Sequence, residues 1–457
     1  MKEIKSKIAA IVGEKNVRSG EDINEDYFHD EALTAEPRAP ELLVFPANTD
    51  EVSRLMCFAN ESGIPVTARG KGTGLCGSCC PSKGGILVSF ERMNHILEID
   101  AANHVAVVEP GVTLAELEES ASEQGLSYAV LPGETSATLG GNVATNAGGM
   151  RAVKYGVTRH QVLGLEAVLA SGEVIHTGGK FVKSSSGYDL TQIIIGSEGT
   201  LALVTKITLK LETRLRHNAT ALVPFSSVDD VVAAVPKILG TGILPLMLEY
   251  IDMFTMAGIV QLEQIELGIP EEVQASAAAY LLIVLEGRSA ESVQGDMEEL
   301  GAKLMEFGAK DVFVLTSGAS RKLIEARDKS HTVAKRSGAN DIVDVVVPRA
   351  SIPAFIKQVK AIADQTGSVI PGCGHAGDGN IHLALFQSDP VEREKTLTDI
   401  FKAGLELGGA ISAEHGIGTE KKPFFRKLED PVKISLMKSI KKAFDPKGIL
   451  NPGKIFD

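Results

Sequence analysis

Residues 69–80 read RGKGTGLCGSCC, and inside them Gly72-Thr73-Gly74-Leu75-Cys76-Gly77 is a literal G-x-G-x-x-G. A Rossmann loop with that spacing opens straight into a helix, because the pyrophosphate is held by the helix's first amides. This loop runs instead into SCCPSKGGILVSF, where Pro81, Gly84 and Gly85 leave no room for a helix before the next strand-like run. A nicotinamide site is excluded on that ground. The glycines offer something else: backbone N–H groups with no side chains in the way, able to curl round an anion as a nest.

Two more stretches share this texture. PGETSATLGGNVATNAGGMRAVKYG at 132–156 sets glycines among small hydroxyl and amide residues, which lets a large flat ligand lie against main chain. SSGYDLTQIIIGSEGTLALVTKITL at 185–209 again places glycines, Gly196 and Gly199, ahead of a strand. Tight turns in a glycine-rich α/β domain would account for any one stretch; three in one chain favour a shared ligand.

The chain has 457 residues, enough for two domains and a large interior. Its 59 acidic and 46 basic residues leave a net charge of -13, which disfavours nucleic acid and anionic membrane surfaces by repulsion. The five cysteines are odd in number and three of them (Cys76, Cys79, Cys80) crowd together, so a reducing interior is expected rather than a disulfide framework. They do not supply four suitably spaced thiolates for an iron–sulfur cluster. The N-terminal MKEIKSKIAAIVGEK is broken at Gly13 and Glu14, short of a signal core, and runs such as YLLIVL at 280–285 are too short to span a membrane. A cytoplasmic protein is expected.

Up to about residue 217 short apolar runs alternate with glycine clusters, a pattern of strands joined by tight turns. One helix is well signposted there, by a capping box at Thr113-Leu114-Ala115-Glu116. From 218 to 417 longer helical patterns, at 291–310 and 352–367, are each followed by a strand-like run, DVFVL at 311–315 and SVIPG at 368–372. These units predict an α+β domain whose sheet is covered on one face. Residues 418–457 read as a helix and a proline-punctuated tail that returns to the first domain.

Together, RGKGTGLCGS, the 132–156 stretch and IGSEGTLALVTKITL resemble the three flavin-contacting segments of the vanillyl-alcohol oxidase (p-cresol methylhydroxylase) superfamily. GHAGDGNIHL at 374–383, SAEHGIG at 412–418 and NPGKIF at 451–456 narrow the resemblance to its D-lactate dehydrogenase and glycolate oxidase branch. It covers nearly the whole chain in order. The resemblance implies an FAD-binding domain of two α/β subdomains and an α+β cap domain whose antiparallel sheet covers the flavin ring. By position, Arg69, Gly70, Lys71, Gly72, Thr73, Gly74 and Gly77 would hold the pyrophosphate. Pro132, Ser136, Thr138, Gly141, Asn146, Gly149 and Tyr155 would lie along the cofactor. Glu198, Gly199 and Val204 would lie near ribose and adenine, and Asn451 near the isoalloxazine. No histidine occurs between 65 and 80, so noncovalent FAD is expected.

In the second domain His375 and His382 flank a glycine turn, and Glu414 precedes His415. Two imidazoles and a carboxylate suit a divalent metal (Zn, Fe or Mn); a pair of hydrogen-bonded histidines beside a turn is the alternative. Resemblance to the branch's metal-containing members favours the metal, with His375, His382 and Glu414 as ligands. His415 adjoins a ligand without being needed as one, which suits it to take a hydroxyl proton from a 2-hydroxy acid. Arg327 matches the position at which the family clamps the substrate carboxylate, with Arg349 as second choice; a solvated surface arginine is the alternative for either. Relatives acting on 2-hydroxyglutarate carry, as the resemblance suggests, an asparagine and a threonine where this chain has Ala384 and His331. A small substrate, D-lactate or glycolate, is therefore expected. The electrons would pass to electron-transferring flavoprotein or an iron–sulfur subunit. A glycolate oxidase FAD subunit and a non-catalytic flavin electron-transfer subunit are the competing readings.

Overall fold

The computed structural model describes residues 2–456 and divides the chain into two compact units. One holds the chain up to Ala147, Val157–Arg214 and everything from Glu414 onward; the other holds Gly148–Gly156 and Leu215–Ala413.

The first unit has two sheets and two cores. A four-stranded sheet runs in the order Val17–Arg18, Leu42–Val44, Ile86–Ser89, Val66–Arg69. Its last three strands are parallel, and they read as continuous apolar runs because both faces are covered. Ile8, Leu55, Met56, Leu42, Val66 and Ile86 form its core, joined by Ile449 and Leu450 from the tail. Leu450 bridges to Val66 within this unit.

The second sheet is five-stranded and antiparallel, in the order Ile96–Asp100, Val105–Val108, Leu203–Lys210, Val162–Val168, Val174–Gly178. The helix Leu114–Glu123 starts at the expected capping box, with both reciprocal bonds between Thr113 and Glu116 formed. No helix follows the glycine loop before the strand at Ile86, so the rejection of a Rossmann turn holds. In the second glycine stretch, expected as turns between strands, a helix forms at Leu139–Thr145. Thr138 caps it, and Leu139 and Val143, one turn apart, anchor it in the second core.

The other unit is built on a seven-stranded sheet. Its order is Phe313–Val314, His217–Phe225, Ala279–Gly287, Met247–Asp252, Gly372–His375, Asn380–Leu385, Asp341–Val346. All pairings are antiparallel, as expected. The expectation of one covered face is corrected: Ala279 to Leu285 are buried without alternation. Leu222, Ile251, Leu282 and Cys373 pack with Met256, Ile259, Leu323 and Ala326 of neighbouring helices. By alternation Ala221, Val223, Leu281 and Ile283 point the opposite way and are buried too, with the helices Val228–Leu239 and Ala290–Glu306 against these strands. The strand expected at 368–372 begins only at Gly372. Val369 is 59% exposed and makes one isolated bridge to Phe386, and Pro371 has no N–H to extend it.

Candidate active site

The glycine loop has the chemistry of an anion cradle. From Lys71 to Cys76 no backbone N–H donates a hydrogen bond to any other described residue. Unpaired donors on a partly buried loop call for an acceptor, and a diphosphate supplies several. The next amide, Gly77 N–H, is already taken by Asp30 Oδ2 at 2.8 Å. Arg69 is also committed: its guanidinium donates to the His29 and Asp26 carbonyls, each at 2.6 Å, and pins the 26–30 segment against the loop. Gly70 is required by close approach, since a Cβ there would lie 2.1 Å from Thr138 Oγ1. That approach joins the first glycine stretch to the second.

Three of the anticipated cofactor residues, Asn146, Glu198 and Asn451, adopt left-handed backbone with φ of 54°, 52° and 41°. Such conformations persist where the surroundings enforce them. Asn451 Nδ2 donates to the Ser78 and Glu198 carbonyls at 2.8 and 2.6 Å, tying the tail to the first and third glycine stretches. The Glu198 carboxylate accepts from the Ile417 and Gly418 N–H groups at 2.7 and 2.8 Å, and burial raises its pKa. Val204 faces the core, Ser136, Lys71 and Pro132 sit at or near the surface, and Thr73, Gly74 and Gly199 line the same loops. Gly149 and Tyr155 belong to the other unit, where Tyr155 Oη donates to Glu286 at 2.5 Å.

Asn142 was not anticipated. It follows Gly141 on the helix capped by Thr138, is 4% exposed, and its Nδ2 has no partner among the described residues. A buried orphan donor beside a cradle of unpaired amides fits a polar cofactor that completes it. Replacing Asn142 with leucine is expected to raise the melting temperature of the apoprotein and to weaken FAD binding about tenfold, one hydrogen bond's worth. Flavin fluorescence titration and apoprotein melting check the two arms.

In the second unit, strand register collects polar side chains on one buried face. Asp344 lies opposite His382, His382 opposite Cys373, and Asn380 opposite His375. The Tyr250–Gly374 pair sets Glu249 in the same row. Glu249 is fully buried, and both its oxygens lie 2.9 Å from His375 Nδ1. Arg327, 3% exposed on the helix Ser317–Asp328, places Nη2 2.7 Å from Glu249 Oε2 and donates from Nη1 to Ser330 Oγ at 3.2 Å. Nδ1 held by a carboxylate fixes the orientation of the His375 ring, the usual support of a metal-bound imidazole. Its ring meets that of His382 edge to face, centroids 5.0 Å apart.

Asp344 is equally buried. It accepts from Asn380 Nδ2 at 2.9 Å, Ser412 Oγ at 2.9 Å and the Ala413 N–H at 3.0 Å. Chain continuity then places Glu414 and His415, the next two residues. Asp344, His382, Glu414 and His415 each offer a ligand atom, and these atoms all lie within 4.8 Å of one another. This set of nitrogen and carboxylate donors fits a divalent ion. Of the anticipated ligands, His382 and Glu414 fall in this group, while His375 stands beside it through the ring contact. His415 joins it, Arg327 is tied to it through Glu249 and His375, and Arg349 sits on an exposed turn. Asp328, next to Arg327, has its carboxyl pushed up to about 7 by burial, with Glu249 adding to the effect and Arg327 opposing it. It can exchange a proton near neutrality.

Glu249, Asp344 and Asp328 were missed in the sequence. The signal was present for two of them: an acid inside an apolar strand, in LMLEYID and in DIVDVV. An acid at such a position is buried, and burial demands a partner.

Comparison with known proteins agrees with this geometry. The family model for the FAD binding domain matches residues 40–178, and that for FAD linked oxidases, C-terminal domain, matches 214–455. An uncharacterized FAD-linked oxidoreductase of Mycobacterium tuberculosis is 55% identical over 456 residues, covering 100% of this chain and 99% of that protein. Glycolate oxidase subunit GlcD of Bacillus subtilis is 38% identical, covering 100% of this chain and 97% of its own. D-lactate dehydrogenase of Archaeoglobus fulgidus is 39% identical, covering 92% of each chain. Among solved structures, substrate-bound p-cresol methylhydroxylase superposes with a TM-score of 0.80 at 19% identity, over 100% of this chain and 97% of that one, a likeness of fold. Among the described residues no helix is long and apolar enough to cross a membrane. With a cofactor cradle and a polar sheet face in the two matched regions, the chain belongs to the FAD-linked oxidases and has the vanillyl-alcohol oxidase type of fold.

Proposed function

We propose that the protein is an FAD-dependent dehydrogenase of a small D-2-hydroxy acid, D-lactate foremost, forming the 2-oxo acid. The observation that carries this reading is the buried row Glu249, His375, His382 and Asp344 with Arg327 at one end and Glu414 and His415 at the other. It combines an anion-binding cation with groups able to accept a proton, which a hydroxy acid requires. Noncovalent FAD supplies a two-electron acceptor for the hydride. A divalent ion (Zn, Fe or Mn) held by His382 and Glu414, with His375 or Asp344, would supply positive charge that acidifies the hydroxyl.

The chain's own groups do the rest. Arg327 receives the substrate carboxylate, and Glu249 and Ser330 fix the orientation of its fork. His415 takes the hydroxyl proton. Asp344 positions it by holding Ser412 and Ala413 just upstream. Ala384 and His331 offer no match for a second carboxylate's expected partners. Electron-transferring flavoprotein or an iron–sulfur subunit receives the electrons, and the five free cysteines fit a reducing cytoplasm.

The relative GlcD favours a second reading, the FAD subunit of a glycolate oxidase. One experiment separates them. D-lactate, glycolate and D-2-hydroxyglutarate are added singly, without oxygen, to the yellow holoprotein. Bleaching of the flavin band is expected with D-lactate first. Faster bleaching by glycolate selects the second reading, and no bleaching by any of the three rejects both.

A further inference from the structure

The first unit carries a basic face that the proposed chemistry does not use. The helix Pro431–Phe444 and the segment after it enclose a hollow of about 550 Å³. Six of its lining residues are lysines: Lys83, Lys422, Lys438, Lys441, Lys442 and Lys447. Its one acid, Asp445, is consumed internally by Lys441 and by the Ile449 and Leu450 N–H groups. Lys441 is structural, donating also to the Thr200 and Leu450 carbonyls at 2.8 Å. Lys422 donates to the Gly453 carbonyl, and Lys447 donates to the Asn60 carbonyl, a neutral acceptor that leaves its charge uncancelled. Lys83, Lys438 and Lys442 have no hydrogen-bonded or ion-paired partner among the described residues. The same helix exposes Val432 and Leu436, 74% and 63% accessible and one turn apart.

We propose that this face docks an acidic redox protein that takes the electrons from the flavin. The inference rests on the dehydrogenase reading, which needs an acceptor. Charge complementarity selects the partner: a chain of net charge -13 repels an acidic protein over most of its surface and attracts it where the four uncancelled ammonium groups of Lys83, Lys438, Lys442 and Lys447 converge. Val432 and Leu436 give the apolar contact that steering alone lacks. The hollow is also joined to the cofactor segments, because Pro452 and Gly453 in its wall follow directly on Asn451, which holds Ser78 and Glu198. In transfer to a haem acceptor, one two-electron-reduced flavin would be reoxidised as two ferric irons become ferrous, its protons passing to water.

The test reduces the holoprotein's flavin with one equivalent of dithionite and mixes it, without oxygen, with the acidic haem domain of cytochrome b5. Basic cytochrome c and the small dye dichlorophenolindophenol are parallel acceptors. The cytochrome b5 rate is expected to fall at least tenfold from roughly 10 mM to roughly 200 mM salt. In Lys438→Glu/Lys442→Glu it is expected to fall at least tenfold at low salt, with the dye rate unchanged and the cytochrome c rate equal or higher. Leu436→Ser lowers it with the salt slope retained. Equal cytochrome b5 rates in parent and charge-reversed protein, or a rate indifferent to salt, overturn the proposal. So does binding to phosphatidylglycerol vesicles without any salt-dependent rate, which assigns the face to lipid. Dithionite replaces the substrate, so failure of the hydroxy-acid reading leaves this test standing.

Discussion

Replacing Glu249 with alanine is expected to destabilise the sheet unit by about 3–5 kcal/mol, the largest single effect on stability at the site. The residue is fully buried, and its two oxygens serve His375 Nδ1 and the Arg327 guanidinium. Alanine removes the carboxylate that lies 2.7 Å from the guanidinium, and an arginine 3% exposed cannot shed its charge or reach water. The cost is therefore mainly that of a buried cation deprived of its paired carboxylate. Glutamine keeps the shape and an acceptor for one donor, so Glu249→Gln should lose less than the alanine variant. Glu249→Ala combined with Arg327→Met should recover most of the loss, because removing both partners of a buried pair is often close to neutral. Calorimetric melting of the three variants checks the order. A double variant no more stable than Glu249→Ala would show that packing, not charge, sets the loss.

How this site was legible in the sequence depends on the kind of signal each residue left. The glycine stretches were readable as a cradle because glycine's missing side chain has a local meaning: Pro81 and the pair Gly84-Gly85 forbid a helix, and the loop does end in a strand. The helix at Leu114 was readable from its capping box. The helix at Leu139 was not, since two glycines and an asparagine in LGGNVAT argue against helix locally, and the anchoring of Leu139 and Val143 in the core overrides them. His375, His382, Glu414 and His415 stood out as residue types, yet which of them converge is a question of register. A polar set alternating with apolar residues usually marks the wet face of a strand. In NIHLAL it marks a buried one, and in DIVDVV Asp344 is a lone acid on that same face, because helices cover this sheet on both sides. Glu249 and Asp344 were hidden by that ambiguity, and Asp328 by its position at the end of an amphipathic helix.

Replacing His415 with alanine is expected to lower kcat by a factor of 10²–10⁴, the usual contribution of a general base, with KM and FAD content nearly unchanged. The expectation follows from two facts about its surroundings. His415 offers a ring nitrogen within 4.8 Å of donor atoms on Asp344, His382 and Glu414, so it sits where an acidified hydroxyl would be held. The same group retains two carboxylates and an imidazole when His415 is gone, and His375 stands next to it. Enough donors remain to keep a divalent ion, and the lost function is proton removal. Three readouts separate that role from ligation. The parent's rate should rise with pH as the base loses its proton, and the variant should lack this limb. Imidazole added to the medium should restore part of the rate to His415→Ala and none to His382→Ala. Metal content should hold in the first variant and fall in the second. If His415→Ala loses its metal along with its rate, His415 is a ligand, and the proton acceptor must be sought at Asp328, whose carboxyl burial pushes up to about 7.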